Sequence, residues 1–308
     1  MDLDEIRKRL EEHDRDKWDL ETEAHNLRFH PDSTLQVGQN GNVRTYGLAD
    51  LAVTQLCQRL GIPARYFKRL PLGLQAQLAN HDLEQHLNLG FFLRGRSTTI
   101  RAILSDRYVA YDNREVVEAI SAAVRGNRLE IRSFSFEERS MFLKLTLHAI
   151  ADESLQLKAG VMIGNSEVGF AQVTVEPFVF RLPCTNDLIV AQESVFRHRH
   201  VNFSKERFSE QIGESIALGL KQAGVVVSSA RAADQQPVLN PTQEIEELSK
   251  EWKLGRTLTD TVLAAFESEP RPTRFGVANS FTRAAQRLRP IERIDVERMA
   301  GRFLAVRL

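Results

Sequence analysis

Residues Phe196 to Phe203 read FRHRHVNF, and the helix-friendly run FSKERFSE starts on the last of them. Arg197, Arg199, Lys205 and Arg207 against Glu206 give this stretch a net charge of +3. Guanidinium forks present paired N–H donors, and a helix N-terminus presents backbone N–H groups without intrahelical partners, so both suit phosphate oxygens. Phe196 and Phe203 flank the charge and offer flat faces for stacking bases, as sequence-tolerant single-strand binders require. His198 and His200 stand two apart and would point the same way from a strand. That spacing suits a metal, but the neighbouring arginines repel a cation and no third ligand stands at a ligating distance, so no metal site is expected.

A second basic group precedes it. Arg94, Arg96, Arg101 and Arg107 against Asp106 again give +3, with Tyr108 and Tyr111 just beyond as flat faces. The blander account of the first group is a solvated basic face with two core phenylalanines, and of the second, salt-bridged decoration of a sheet edge. An exposed pair contributes only ~0–1 kcal/mol, so stability alone gives little reason to gather so many arginines. The segment from Arg271 to Arg293 holds six arginines and one acid. Arg283 and Arg287 lie one turn apart and repel unless an anion or an acidic segment rests on them. The acidic Met1–Asp32 stretch, with eleven acids and six bases, and the Glu244–Glu251 stretch are candidates for that docking.

The alternative chemistry is a metal-assisted hydrolase or nuclease using Asp106, Glu167 and the His198/His200 pair. Asp112, which opens the sequence DNRE, is assigned to a helix cap instead. Cys184 beside His198 or His200 is a conceivable nucleophile, although nothing around it signals a lowered thiol pKa. No GxSxG, Walker, HExxH or GxGxxG pattern is present. Two cysteines, Cys57 and Cys184, are too few for a disulfide framework or a CxxC zinc site. Lys plus Arg equals Asp plus Glu at 41 each, so only local patches can attract an anion. No apolar run has the length of a membrane span, and the N-terminus is acidic with no apolar h-region. These features lead to the expectation of a cytoplasmic protein without membrane contact or cofactor.

The elements that must position these groups are read from periodicity. Asp50–Leu60 predicts a helix ended by Gly61 and blocked by Pro63, and a second helix runs from Leu72 to Leu87. FFLRGR, TTIRAILS and Met141–Ile150 predict strands. In the last, Met141, Leu143, Leu145 and Leu147 share one face and Lys144, Thr146 and His148 take the other. The opposite-parity pairs Leu129/Ile131 and Phe134/Phe136 predict a bulged strand. LQVGQNGNVRTY predicts a hairpin. The stretch Leu157–His200 organises the rest, with β-rich runs at Leu157–Ile163, Val168–Val175 and Pro177–Leu182. A helix follows from Phe203 to about Leu220. Val225–Pro241, with small residues and two prolines, reads as a connector. Consecutive strands without intervening helices predict an α+β fold, with a central, largely antiparallel sheet and flanking helices. The expected division is an arm and hairpin over 1–47, an α+β core over 48–228 and a helical region over 229–308.

The segments LRGRSTTIRAILSDRYVAYDN, NSEVGFAQVTVEPFVFRLPCTNDL, RHRH, FGVANSFTRAAQ and IDVERMAG resemble the DUF932 family of phage, plasmid and bacterial proteins. The likeness covers most of the chain between Leu48 and Gly301. Asn165-Ser166-Glu167-Val168-Gly169, Cys184-Thr185-Asn186 and His200 stand where that family's pattern has them, whereas Asp187 replaces a more usual Gly. The resemblance implies a mobile-element context and hands over no catalytic residues. The expectation is therefore a non-catalytic, oligomeric protein of recombination or DNA maintenance that binds single-stranded DNA. In it Arg94, Arg96, Arg101, Arg107, Arg197, Arg199, Lys205 and Arg207 would hold phosphates, Tyr108, Phe196 or Phe203 would stack bases, and His198 and His200 would lie alongside. A structural or host-interaction protein whose charged segments dock on one another remains a further reading.

Overall fold

The computed structural model describes residues 2–39, 41–126, 128–149, 151–182, 187–188, 195–201 and 204–305. The fold is α+β, built on two sheets. Helix α1 (Leu3–Asp14) is capped by the Asp2 carboxylate, which accepts from Glu5 N–H at 2.8 Å. Strands β1 (Lys17–Glu23), β2 (Leu27–Phe29), β3 (Thr34–Gln39), β4 (Asn42–Leu48), β5 (Gly90–Arg96) and β6 (Thr99–Ser105) form the first sheet in the order β1-β5-β6-β4-β3-β2. The segment expected as an arm and hairpin thus supplies four of its strands, two of them the hairpin and two where only an arm was expected. The hairpin is present, with Gly41 at φ +77° supplying the left-handed turn residue. The sheet is mixed, because β4 runs parallel to β6 at Gly47–Leu48. Helices α2 (Asp50–Arg59), α3 (Ala64–Phe67) and α4 (Leu72–Gln85) cover one face, where Leu56, Phe67 and Ala79 pack with Leu35, Phe91 and Leu93.

The second sheet holds β7 (Glu130–Phe136), β8 (Met141–Thr146), β9 (Leu157–Asn165), β10 (Val173–Arg181), β11 (Asp187–Leu188) and β12 (Phe196–His198). Its order is β11-β10-β9-β8-β7, with β12 also paired to β10, all antiparallel. The expected bulge falls between Ile131 and Ser133. Two of the expected runs differ. Val168 lies in the loop before β10, and Pro177 sits inside that strand rather than starting another. Pro177 is tolerated because β12 pairs only residues 173–175 and β11 only 179–180, so it falls in the gap between two short edge pairings. The alternation expected over Met141–Ile150 holds for Met141–Thr146, where β8 ends; Ile150 lies outside the described residues. Met141, Leu143 and Leu145 join a core with Val117, Ile120, Phe208, Ile212 and Ile216 of α5 (Asn113–Gly126) and α6 (Lys205–Asp234).

Helix α6 continues through most of the expected connector. Ala223, Val226, Val227, Ala230 and Ala233 are buried at helical spacing against α9 (Arg274–Ala285) and the start of β9. Those small residues let the helix approach closely, and Ser229 turns its hydroxyl back to Val225 O. Helices α7 (Pro241–Glu251), α8 (Arg256–Ser268), α9 and α10 (Pro290–Ala305) complete the chain. Helix α10 lies on the other face of the second sheet, where Ile294 meets Met162, Phe178 and Phe180. Two sheet charges flanking Met162 meet it there: Lys144 contacts Glu297 at 2.7 Å, and Glu176 accepts from Arg298 at 2.6 Å. No helix among the described residues is long and apolar enough to cross a membrane.

Candidate functional site

The loop Asn165-Ser166-Glu167-Val168-Gly169 joins β9 to β10 and is clamped between the two sheets. Asn165 to Val168 are all buried. Gly169 takes φ +67°, and a Cβ there would come within 2.6 Å of Leu104, so the tight turn demands glycine. Gln55 of α2 holds the loop from one side, donating to Val168 O at 2.8 Å and accepting from Ile103 N–H at 3.0 Å. The Glu167 carboxylate accepts from Lys17 at 2.6 Å, Arg101 at 3.3 Å and the Asn113 backbone N–H at 2.9 Å. It therefore serves the free N-terminus of α5 from a distant part of the chain. Lys17 holds its carboxyl below the ordinary value against the cost of burial. Of the expected capping box, Glu115 does reach back to Asp112 N–H at 2.7 Å, but the Asp112 carboxylate turns to Arg94 at 2.6 Å.

This arrangement overturns part of the expected phosphate-binding set. Arg94 is 2% exposed, and its guanidinium is occupied by Asp19 at 2.8 Å, Asp112 at 2.6 Å and Glu167 O at 2.7 Å. Arg101 is 4% exposed and paired with Glu138 and Glu167. Arg96 donates to His13 O at 2.9 Å and faces Glu138 at 3.6 Å. Burying a guanidinium is tolerable only with such partners, and a phosphate would have to displace them. Tyr108 cannot offer a bare face to a base. Its ring is stacked between Phe92 at 5.8 Å and His200 at 5.2 Å, and its hydroxyl donates to Glu167 O at 3.0 Å. The carboxylates that neutralise these arginines are Asp19, Asp112, Glu138 and Glu167, in line with the salt-bridged reading of this group, whereas Arg283, expected to rest on an acidic segment, faces Glu269 at 3.3 Å.

The second group divides. His200 is 4% exposed with Nδ1 at 3.3 Å from Val109 O, and burial pushes its imidazole down to about 4. His198 is held at 2.6 Å from Arg199 O and stacks on Phe196. Phe196 packs edge-on to Phe208 at 5.6 Å and belongs to the core beneath β12. Lys205 pairs with Glu115 at 2.6 Å. Phe203 and the Cys184-Thr185-Asn186 triplet lie outside the described residues. Arg107, Arg199 and Arg207 are exposed and make no side-chain hydrogen bond or ion pair among the described residues. The Tyr108–Val201 bridge and the Val109 N–H bond to His200 O at 2.8 Å bring the first two onto adjoining segments, and Arg207 opens the helix that follows. Arg197 is exposed and lines a cleft under α10.

The residues of the hydrolase alternative do not converge. Glu167 is bound in the interior by two cations, His200 is stacked on Tyr108, and Asp106 lies over Gly90, where a Cβ would meet it at 2.8 Å. Among the described residues, no three His, Cys, Asp or Glu side chains are grouped to hold a metal ion. Cys57 is buried, which pushes its thiol up to about 11 and makes it inert at neutral pH. The buried role of Glu167 has a weak sequence signal: an acid flanked by Ser and Val in a loop between apolar strands needs interior partners. No family model, no curated protein and no solved structure matches the chain.

Proposed function

We propose that the protein binds single-stranded DNA through the ridge of Arg107, Arg199 and Arg207, extended by Arg197. The carrying observation is that the first three are exposed cations on neighbouring segments without a carboxylate partner among the described residues. Fixed cations on a sheet edge and a helix start suit a phosphate backbone and carry no base code, so binding is sequence-tolerant and strongly salt-dependent. The resemblance to the DUF932 family supports a place in recombination or maintenance of mobile-element DNA, with the protein acting without catalysis and as an oligomer. Arg94, Arg96 and Arg101 have a structural role in this reading.

The test is fluorescence anisotropy of a labelled oligothymidylate across a salt series. Replacing Arg107, Arg199 and Arg207 by Gln removes three phosphate contacts, and the log–log salt slope should fall by about 2. The proposal is overturned by an absence of binding at low salt, or by a triple variant whose slope equals that of the parent.

A further inference from the structure

Strand β1 closes one side of the first sheet and pairs only with β5, over seven residues from Lys17 to Glu23 without a register shift. The phase of that ladder is fixed at its two ends. Asp16 O accepts from Ser97 N–H at 2.9 Å, and Ala24 N–H donates to Leu89 O at 3.0 Å. Bonded pairs alternate along an antiparallel ladder, so Trp18, Leu20 and Thr22 direct their backbone groups to β5. Lys17, Asp19, Glu21 and Glu23 turn theirs outward, and those groups make no backbone hydrogen bond among the described residues.

Two other outer strands are closed to addition. On the far side of the same sheet β2 has three residues, and the Asn80 side chain accepts from Phe29 N–H at 2.8 Å and donates to Phe29 O at 2.9 Å. In the second sheet, β7 is broken by its bulge. Short edges, covering side chains and bulges all prevent a further strand from pairing, and β1 has none of them.

The side chains decide which strand can add. Asp19, Glu21 and Glu23 share one face and are exposed, whereas Trp18 and Leu20 pack on the opposite face against the core shared with α2 and α4. Asp19 is paired with Arg94 and Glu23 lies 3.3 Å from His25; Glu21 makes no ion pair among the described residues. A second β1 pairing antiparallel about Leu20 sets Asp19 against Glu21, and one pairing about Glu21 sets Asp19 against Glu23. Like charges directly opposite are destabilising, so these acids oppose self-pairing. An incoming strand with Lys or Arg at the opposed positions meets a carboxylate at each of them.

We infer that β1 is a docking edge for an extended basic segment of another protein, which adds as an antiparallel seventh strand with Lys or Arg at alternate positions facing Asp19, Glu21 and Glu23. Main-chain hydrogen bonds supply the affinity and the alternate side chains the selectivity. This surface is separate in kind from the arginine ridge: it takes a peptide backbone through N–H and C=O groups, not a phosphate backbone through cations.

The experiment uses the full chain without nucleic acid, so its outcome does not depend on the ridge. The probe is a fluorescein-labelled peptide in which Lys alternates with Thr and Val, read by anisotropy. One control peptide has Glu for Lys. The other is N-methylated at its lysines, which removes the donors facing β1 and keeps every charge. Glu21→Lys, at an exposed position, should keep the urea midpoint of the parent. It turns an attractive cross-strand pair into a repulsive one and should weaken Lys-peptide binding by roughly 2- to 30-fold. N-methylation should weaken it by roughly tenfold or more, and the Glu peptide should not bind. An N-methylated peptide that binds as well as its parent leaves only a charge effect and overturns the inference. So does a Glu21→Lys variant that binds the Lys peptide as the parent does, or an absence of binding at millimolar peptide. If the protein alone dimerises and Glu21→Pro, which removes one outward donor, dissociates the dimer, a second copy occupies the edge and the inference falls.

Discussion

His200 makes the strongest quantitative prediction. Its imidazole is buried against the Tyr108 ring, with centroids 5.2 Å apart and planes 12° from parallel. Burial is the main cause of its lowered pKa; Arg94 and His198 push the same way, while the Val109 carbonyl and Glu167 oppose them. The folded group titrates near 4 against an ordinary value of 6.5. A depressed histidine is neutral in the folded state where the unfolded chain already binds a proton. Its stabilising effect is complete above 6.5 and is lost as pH falls from there toward about 4. With ~1.4 kcal/mol per pH unit across that gap, the whole effect is about 3 kcal/mol, of which about 2 kcal/mol disappears between pH 7 and pH 5. Asp112 acts with the opposite sign, because burial raises its carboxyl and the folded state takes up its proton first. The quantity to measure is therefore the difference between the parent and His200→Gln in urea unfolding at pH 7 and pH 5. The parent should lose about 2 kcal/mol more than the variant over that interval. Equal losses, or an imidazole resonance of His200 that titrates near 6.5, would refute the reasoning.

Glu167→Gln removes the carboxylate shared by Lys17 and Arg101 while keeping an acceptor for Asn113 N–H; Asp14 and Glu138 still oppose the two cations. It should cost about 3 kcal/mol in denaturant unfolding, and a change below about 0.5 kcal/mol would remove the loop from its central place. Gly95→Ala should destabilise by about 1–3 kcal/mol and change the near-ultraviolet dichroism of Trp18. The reason is that a Cβ at Gly95 would stand 2.1 Å from the Trp18 ring. Glu297→Leu removes the carboxylate 2.7 Å from buried Lys144 and should cost about 3–5 kcal/mol; adding Lys144→Met should recover most of it in a double-mutant cycle.

Much of the local structure was legible because it follows from period and punctuation. Gly61 at φ +73° ends the α2 region as read, and the strand face of Met141, Leu143 and Leu145 is the buried one. The helix over 113–126 buries Val116, Val117, Ile120 and Val124 as its spacing requires. Illegible features depended on contacts between distant residues. Nothing near Arg94 in sequence announces Asp19, 75 residues earlier, or the Glu167 carbonyl, 73 residues later. Local net charge therefore counted as surface cations several groups that the fold spends inside. The stretch 225–241, which reads as a connector, is helical through Asp234 for a different reason. Its valines and serines have low intrinsic helix propensity, and two prolines follow at 237 and 241. Yet Val226, Val227, Ala230 and Ala233 do carry a helical stripe, and tertiary packing decides the outcome.

The charge-neutral composition thus conceals a division of labour. The acids of the first segment, with Asp112, Glu138 and Glu167, are counter-ions for Lys17, Arg94, Arg96 and Arg101 at the junction of the two sheets. Outside that junction Arg107, Arg199 and Arg207 are exposed and make no ion pair among the described residues. The number of arginines in the sequence is therefore a poor guide to anion affinity; what matters is which of them the interior has not already neutralised.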